Sequence, residues 1–250
     1  MGKIVAIGGG EIGRPGFEIE TLEIDKEIIK LSNKINPKLL FIPTASSDHE
    51  GYIEVVKNYF GKRLGCIIDV LYLLNNELNF DEIRNKIMNT DIIYVGGGNT
   101  QKLLEVWKEK KIDKLLKEAF DKDIIMSGIS AGAICWFSAG CSDYVEYKFD
   151  SVEKKFTTLN ALGIIQGILC PHFDVEKSRE NIVQKIVREE AELVIALDNC
   201  VAIEIVGNKY RIIRSKQDAN AYKIFYKDGI KKECINETEF KDINELLKIK

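Results

Sequence analysis

Ile124-Ile125-Met126-Ser127-Gly128-Ile129-Ser130-Ala131-Gly132-Ala133-Ile134 joins an apolar run to a row of small residues through Gly-x-Ser-x-Gly. That spacing predicts a strand turning sharply into a helix, because larger side chains beside the serine would clash in so tight a turn. Ser130 would then project from the C-terminal edge of a sheet, at a helix N-terminus whose free amides and dipole favour developing negative charge. The Ala131 amide is the natural donor to an oxyanion there. The competing reading is a serine that caps a buried helix of small residues.

Upstream of this elbow, short apolar runs alternate with amphipathic stretches, the pattern of βαβ units and a parallel sheet. Strands are expected at residues 3–7, 39–42, 66–73, 91–95 and 124–126. Ile24, Ile28, Leu31 and Ile35 predict a helix stopped by Asn36-Pro37, and Tyr52, Val55, Val56, Tyr59 and Phe60 predict a second ending at Gly61. A further helix is expected around Ile83 and Ile87, and one long helix after Thr100 carrying Leu103, Val106, Trp107, Leu115 and Phe120. Downstream of about Gly140 the strands lie closer together, with hairpin turns at Gly207-Asn208 and Asp228-Gly229. They read as antiparallel additions at one edge of the same sheet. The expected fold is a three-layer α/β/α sandwich with a mainly parallel central sheet and antiparallel hairpins near the C-terminus, in a single domain spanning 1–250.

Composition narrows the function classes. Thirty-six Lys and Arg against 39 Asp and Glu give a net charge of −3 in 250 residues, which offers neither nucleic acid nor a membrane surface an electrostatic footprint. Apolar runs are broken by charge well before the ~20 residues of a membrane helix, and the opening residues lack the pattern of a secretory leader. A cytoplasmic location is the expectation. The six cysteines are scattered without a Cys-x-x-Cys pair, and only His49 and His172 are present. A zinc site therefore has little material, and neither a metal nor a cofactor is expected.

Two more glycine clusters stand at strand ends. Gly8-Gly9-Gly10-Glu11-Ile12-Gly13 matches a dinucleotide fingerprint letter for letter. Arg14-Pro15-Gly16 interrupts the helix that fingerprint needs, and the next strand does not end in an acidic residue, so a glycine-lined turn that makes room for a neighbour is the better reading. Gly96-Gly97-Gly98-Asn99-Thr100 also leaves a strand for a helix, with Asn99 or Thr100 placed to cap it, and suits an oxyanion-binding loop.

A serine of ordinary pKa needs a base. His172 follows the apolar strand Gly167-Ile168-Leu169-Cys170-Pro171, at a strand end where α/β sheets gather their sites, whereas His49 lies in a polar loop suited to the surface or a helix cap. His172 is the expected base. Its acid partner has two candidates: Asp198, which ends the strand over residues 192–197 and is preferred, and Asp143, in a loop after the elbow helix.

Taken in order, Gly8-Gly9-Gly10, Ile42-Pro43-Thr44-Ala45-Ser46, Gly96 to Thr100, Gly128 to Ala133 and Pro171-His172-Phe173 resemble the peptidase E and cyanophycinase-like serine hydrolases, whose fold is similar to class I glutamine amidotransferases. The resemblance implies Ser130 as nucleophile, His172 as base, and Gly98 with Ala131 as oxyanion amides. It matches both Asp143 and Asp198 as third member. It also implies a small peptide or related amide as substrate, either an N-terminal aspartyl peptide or a β-linked aspartyl-arginine unit. Asn99, Thr100 and Arg179 are then the candidate substrate-binding residues, arginine being suited to a substrate carboxylate. Pairing into a homodimer is left open.

Overall fold

A computed structural model of the chain describes residues 2–74, 78–148, 151–175, 177–189 and 192–248. The strand-helix alternation of the first half is present: β1 (Lys3–Ile7), α1 (Leu22–Lys30), β2 (Lys38–Ile42), α2 (Glu50–Val56), β3 (Ile67–Val70), α3 (Phe80–Met88), β4 (Ile92–Val95), α4 (Thr100–Glu109), α5 (Ile112–Asp121), β5 (Ile125–Ile129) and the short α6 (Ala131–Ile134). β1, β5, β4, β2 and β3 lie side by side in that order, all parallel.

The second half follows as β6 (Phe137–Lys148), β7 (Ser151–Asn160), β8 (Ile165–Cys170), α7 (Lys177–Glu189), β9 (Val194–Leu197), β10 (Val201–Val206), β11 (Lys209–Arg214), β12 (Ala221–Tyr226), β13 (Ile230–Cys234), β14 (Lys241–Asp242) and α8 (Ile243–Leu247). Here the strands divide. β10, β11 and β14 extend the first sheet from β1, each antiparallel to the strand before it, as expected of the Gly207-Asn208 hairpin. The Asp228-Gly229 hairpin, β12 and β13, instead joins a second sheet of order β13-β12-β9-β8-β6-β7. The fold class stands, with the hairpins distributed over two sheets and not over one.

Side-chain alternation along the strands shows why. Val5 and Ile7 with Leu39, Phe41, Ile92 and Tyr94 form one apolar cluster, covered by Ile24 and Ile28 of α1 and Ile53 and Val56 of α2. Ile4 and Ala6, with Leu40, Ile42, Ile93 and Val95, face the other way. They share a single cluster with Trp107 of α4, Leu115 and Leu116 of α5, and Leu169, Ile195 and Leu197 of the second sheet. The opposite face of β8 and β9, through Ile168, Cys170, Val194 and Ala196, packs on Val183, Ile186 and Val187 of α7. β1, β2, β4, β8 and β9 are thus buried on both faces, which is what near-continuous apolar runs require.

Three helices differ from expectation, the first being α1, which stops at Lys30 ahead of Asn36-Pro37 and leaves Ile35 exposed. The long helix after Thr100 is two, broken where Lys111 adopts φ 59°. α2 runs on into a wider turn over Lys57–Arg63, in which Leu64 N–H donates to Tyr59 O and Cys66 N–H to Phe60 O, and this buries Tyr59 and Phe60 side by side. No helix among the described residues is long and apolar enough to cross a membrane.

Candidate active site

Ser130 follows β5 directly and holds φ 57° and ψ −113°, a backbone region that ordinary residues enter only under strain. Its N–H donates to Ile7 O on β1 (3.0 Å), which ties the turn to the sheet. The flanking glycines are obligatory: a Cβ on Gly132 would lie 2.1 Å from Val95 O, so β4 and α6 could not approach with any other residue there.

His172 stands just beyond β8, itself at φ 52°, with its N–H donating to Gly8 O (3.2 Å). Ser130 Oγ lies 2.8 Å from His172 Nε2, and Asn199 Oδ1 lies 2.6 Å from His172 Nδ1. A carboxamide oxygen can only accept, so Nδ1 carries the proton and Nε2 is left to accept from the Ser130 hydroxyl. The glycine-rich turn after β1 serves this contact. A Cβ on Gly9 would fall 2.0 Å from Asn199 Oδ1 and 2.3 Å from His172 Nδ1, so glycine is what lets histidine and carboxamide meet. Gly9 O also accepts from Cys200 N–H (2.9 Å). That accounts for the turn without a nucleotide.

The third partner therefore differs from the sequence expectation. Asp198 is 6% exposed, but its Oδ2 accepts from Asn220 N–H (3.0 Å) and its own N–H donates to Asn220 O (3.0 Å), so it fastens the end of β9 to the start of β12. Asp143 on β6 faces Arg179 of α7, with 3.7 Å between Oδ1 and Nη2. Asn199, one residue past Asp198, takes the position at His172. It is fixed in turn by Asp174, whose Oδ1 accepts its N–H (2.8 Å). No sequence signal marked an amide for this place. Adjacent residues at a strand end point to opposite sides, and only the distant contacts decide which of the two meets the histidine.

Burial holds the His172 imidazole below its ordinary pKa. The Asn199 hydrogen bond opposes that shift, the Arg179 charge reinforces it, and the carboxylates of Asp174 and Asp143 oppose it. The ring is accordingly neutral at pH 7 and able to take a proton.

Beyond the end of β4, Gly97 lies against Ser130, and Gly98 after it lies against Ala45. A Cβ on Gly97 would sit 3.3 Å from Ser130 Cβ, and the Gly97 N–H reaches the Tyr52 hydroxyl at 3.4 Å. The amides of Gly98 and Ala131 have no acceptor among the described residues, which is the condition for receiving an oxyanion. Asn99 caps α4, its Oδ1 accepting from Lys102 N–H (2.9 Å), and Thr100 is buried as the first residue of that helix.

Beside Ser130 and His172 opens a cavity of about 760 Å³. Its walls are Ile12, Phe17, Tyr52 and Val55, with Arg14 among them; His49, exposed at the start of α2, also borders it. Asn99, Thr100 and Arg179 do not line it. Arg179 is 4% exposed, lies 4.8 Å from the Phe156 ring centroid, and reaches the site through its charge. Cys135, a turn beyond the elbow, is buried with Sγ directed at Gly132 O (3.1 Å), and burial raises its thiol well above its ordinary pKa. No cluster of His, Cys, Asp or Glu among the described residues has the makings of a metal site.

Comparison with known proteins gives this arrangement its class, which is that of a peptidase. The sequence model of peptidase family S51 matches residues 4–213, and the chain belongs to that family. It is 34% identical over 228 residues to the uncharacterized peptidase YgaJ of Bacillus subtilis (strain 168), covering 90% of this chain and 92% of that protein. It is 25% identical over 206 residues to peptidase E of Shewanella denitrificans, covering 78% and 83%. The crystal structure of a peptidase from an acI-B1 Actinobacterium superposes with a TM-score of 0.72 over 97% of both chains at 19% identity, a likeness of fold.

Proposed function

We propose that the protein is a serine-dependent hydrolase of short peptides, working through an acyl-enzyme on Ser130, and that chain 1–250 is one domain carrying one such centre. The observation that carries this reading is the run of two short contacts, Ser130 Oγ to His172 Nε2 and His172 Nδ1 to Asn199 Oδ1, on a serine held in a strained elbow. Neutral His172 takes the Ser130 proton as Oγ attacks the peptide carbonyl carbon. The amides of Gly98 and Ala131 receive the oxyanion. When the intermediate collapses, the C–N bond breaks and His172 passes its proton to the departing amine. Water then attacks the ester while His172 takes its proton, the bond to Oγ breaks, and that proton returns to Ser130. Asn199 keeps Nδ1 protonated throughout, as the orienting member of a triad does, but without a negative charge of its own.

Within that class the family resemblance favours aspartyl peptides. Arg179, the arginine the sequence offers for the substrate carboxylate, is held on α7 by Asp143 and the Phe156 ring, outside the cavity, and is not given that role.

Amine release from Asp-Leu, β-Asp-Arg, Glu-Leu and Ala-Leu, measured on wild type beside Ser130→Ala and His172→Ala, tests both levels. Cleavage by wild type with a loss on the order of 10³-fold or more in either variant supports the mechanism, and the ranking of the four peptides decides the aspartyl reading. Turnover that survives in Ser130→Ala overturns the mechanism. Silence across the panel together with tight binding of a nucleotide would replace the hydrolase by a binding protein on the same fold.

A further inference from the structure

Between β1 and α1 the chain runs from Gly10 to Glu20 without helix or strand, yet it is firmly tied. Glu11 N–H donates to Glu20 Oε2 (3.1 Å), Glu20 N–H donates to Glu11 O (2.7 Å), and Glu20 Oε1 pairs with Lys216 Nζ (2.5 Å). The Glu11 carboxylate is only 12% exposed and turns back on its own loop. Its Oε1 accepts from Gly13 N–H (3.0 Å) and Arg14 N–H (2.9 Å), and its Oε2 accepts from Arg14 Nε (2.6 Å).

Arg14 is thereby aimed. Glu11 holds it at Nε, and the guanidinium lies 4.9 Å from the Phe17 ring centroid. Nη1 and Nη2 donate to nothing among the described residues, and the side chain is 64% exposed. A planar fork with both ends unengaged, pre-set by a carboxylate behind it, matches a second carboxylate bidentately. Both Arg14 and Phe17 line the cavity beside Ser130, and both also line a smaller one of about 340 Å³ that borders His172 and Asn199. They lie on the histidine side of the centre. Because His172 Nε2 delivers the proton to the departing amine, that side is where the leaving residue sits.

We propose that the Gly10–Phe17 loop is the subsite for the leaving residue, with Arg14 receiving its free terminal carboxylate and Ile12, Phe17, Tyr52 and Val55 its apolar side chain. The proposal rests on the catalytic reading above for its direction. It makes the preferred substrate a peptide that ends one residue after the cleaved bond, with an apolar residue there. A longer peptide or a C-terminal amide gives Arg14 no anion to hold.

Binding separates this subsite from the chemistry. In the Ser130→Ala background, affinities for Asp-Leu, Asp-Leu-amide and Asp-Glu-amide are measured by calorimetry, alone and with Arg14→Met or Arg14→Lys added. Asp-Leu should bind at least about 10-fold more tightly than its amide, a difference of about 1.4 kcal/mol. Arg14→Met should shrink that ratio to within about twofold, and Arg14→Lys, which keeps the charge but not the fork, should restore part of it. Equal affinity for acid and amide, a preference that survives Arg14→Met, or no binding of any of the three at millimolar concentration would overturn the subsite. Asp-Glu-amide binding as well as Asp-Leu would hand Arg14 to an acidic side chain and overturn the terminal-carboxylate assignment. Wild-type cleavage of Asp-Leu that persists in Ser130→Ala would instead remove the serine mechanism and leave the binding ratios standing.

Discussion

Ser130 and His172 face each other across 2.8 Å, and they reach that position by unlike routes. The serine is placed by its own neighbours in sequence. β5, the strained residue and α6 follow one another without a break, and Gly132 clears the way for β4. The histidine is placed by segments far apart along the chain. Gly8 accepts from its backbone, Asn199 holds its ring, and Asp174 holds Asn199, with Gly9 left bare so that the ring and the carboxamide can touch. A site element fixed by local backbone strain leaves a signature in a few consecutive letters. One fixed by contacts among several loops does not.

Asn199 and its neighbour Asp198 should differ most in what their loss costs. Asn199→Ala removes the group that orients His172, and kcat should fall on the order of 10- to 100-fold, the scale of a small misplacement of a catalytic group. Asp198→Ala, which cuts the tie to Asn220, should cost less than about threefold in kcat while lowering thermal stability. The reverse ordering in steady-state kinetics would restore Asp198 as the third member.

A carboxylate in place of the carboxamide sharpens the same point through pH. Because burial holds the His172 pKa below 6.5, the base is already neutral above that value, so the acidic limb of kcat/KM should have its midpoint below pH 6.5 and activity should be level from pH 7 to 8. Asn199→Asp adds a negative charge beside Nδ1, favours the imidazolium, and should move the midpoint up by about one unit. A wild-type midpoint above 6.5, or an unmoved limb in the variant, would contradict the assignment.

How much was legible follows the same division. The parallel core was readable because Ile4 to Ile7, Leu39 to Ile42 and Ile92 to Val95 are apolar on both faces, as strands covered on two sides must be. The break between α4 and α5 was not, since Lys108-Glu109-Lys110-Lys111 contains no glycine or proline, and a lysine carries the left-handed turn that puts Trp107 and Leu116 on one cluster. Neither was the separation into two sheets, because hairpin letters fix how two strands pair and not which sheet receives the pair. The meeting of Ser130 with His172 was readable from strand ends and scarcity. Asn199 and Arg14 were not, since each acquires its direction from a partner, Asp174 and Glu11, that sequence order does not single out.

The smallest expected effect concerns the thiol on the serine side. Cys135 is fully buried with its pKa raised, so iodoacetamide under native conditions should leave dipeptide cleavage within about 20% of the untreated rate. Inactivation that tracks modification of Cys135 would move the nucleophile one turn along the helix.

The most direct measurement is covalent trapping. Wild type, His172→Ala and Asn199→Ala are treated with a fluorophosphonate that reports on activated serines, and the modified peptide is located by mass spectrometry. A single adduct on Ser130 that is absent in His172→Ala and slowed in Asn199→Ala is the predicted result; an adduct at another residue, or labelling of Ser130 that is indifferent to His172, would contradict the account.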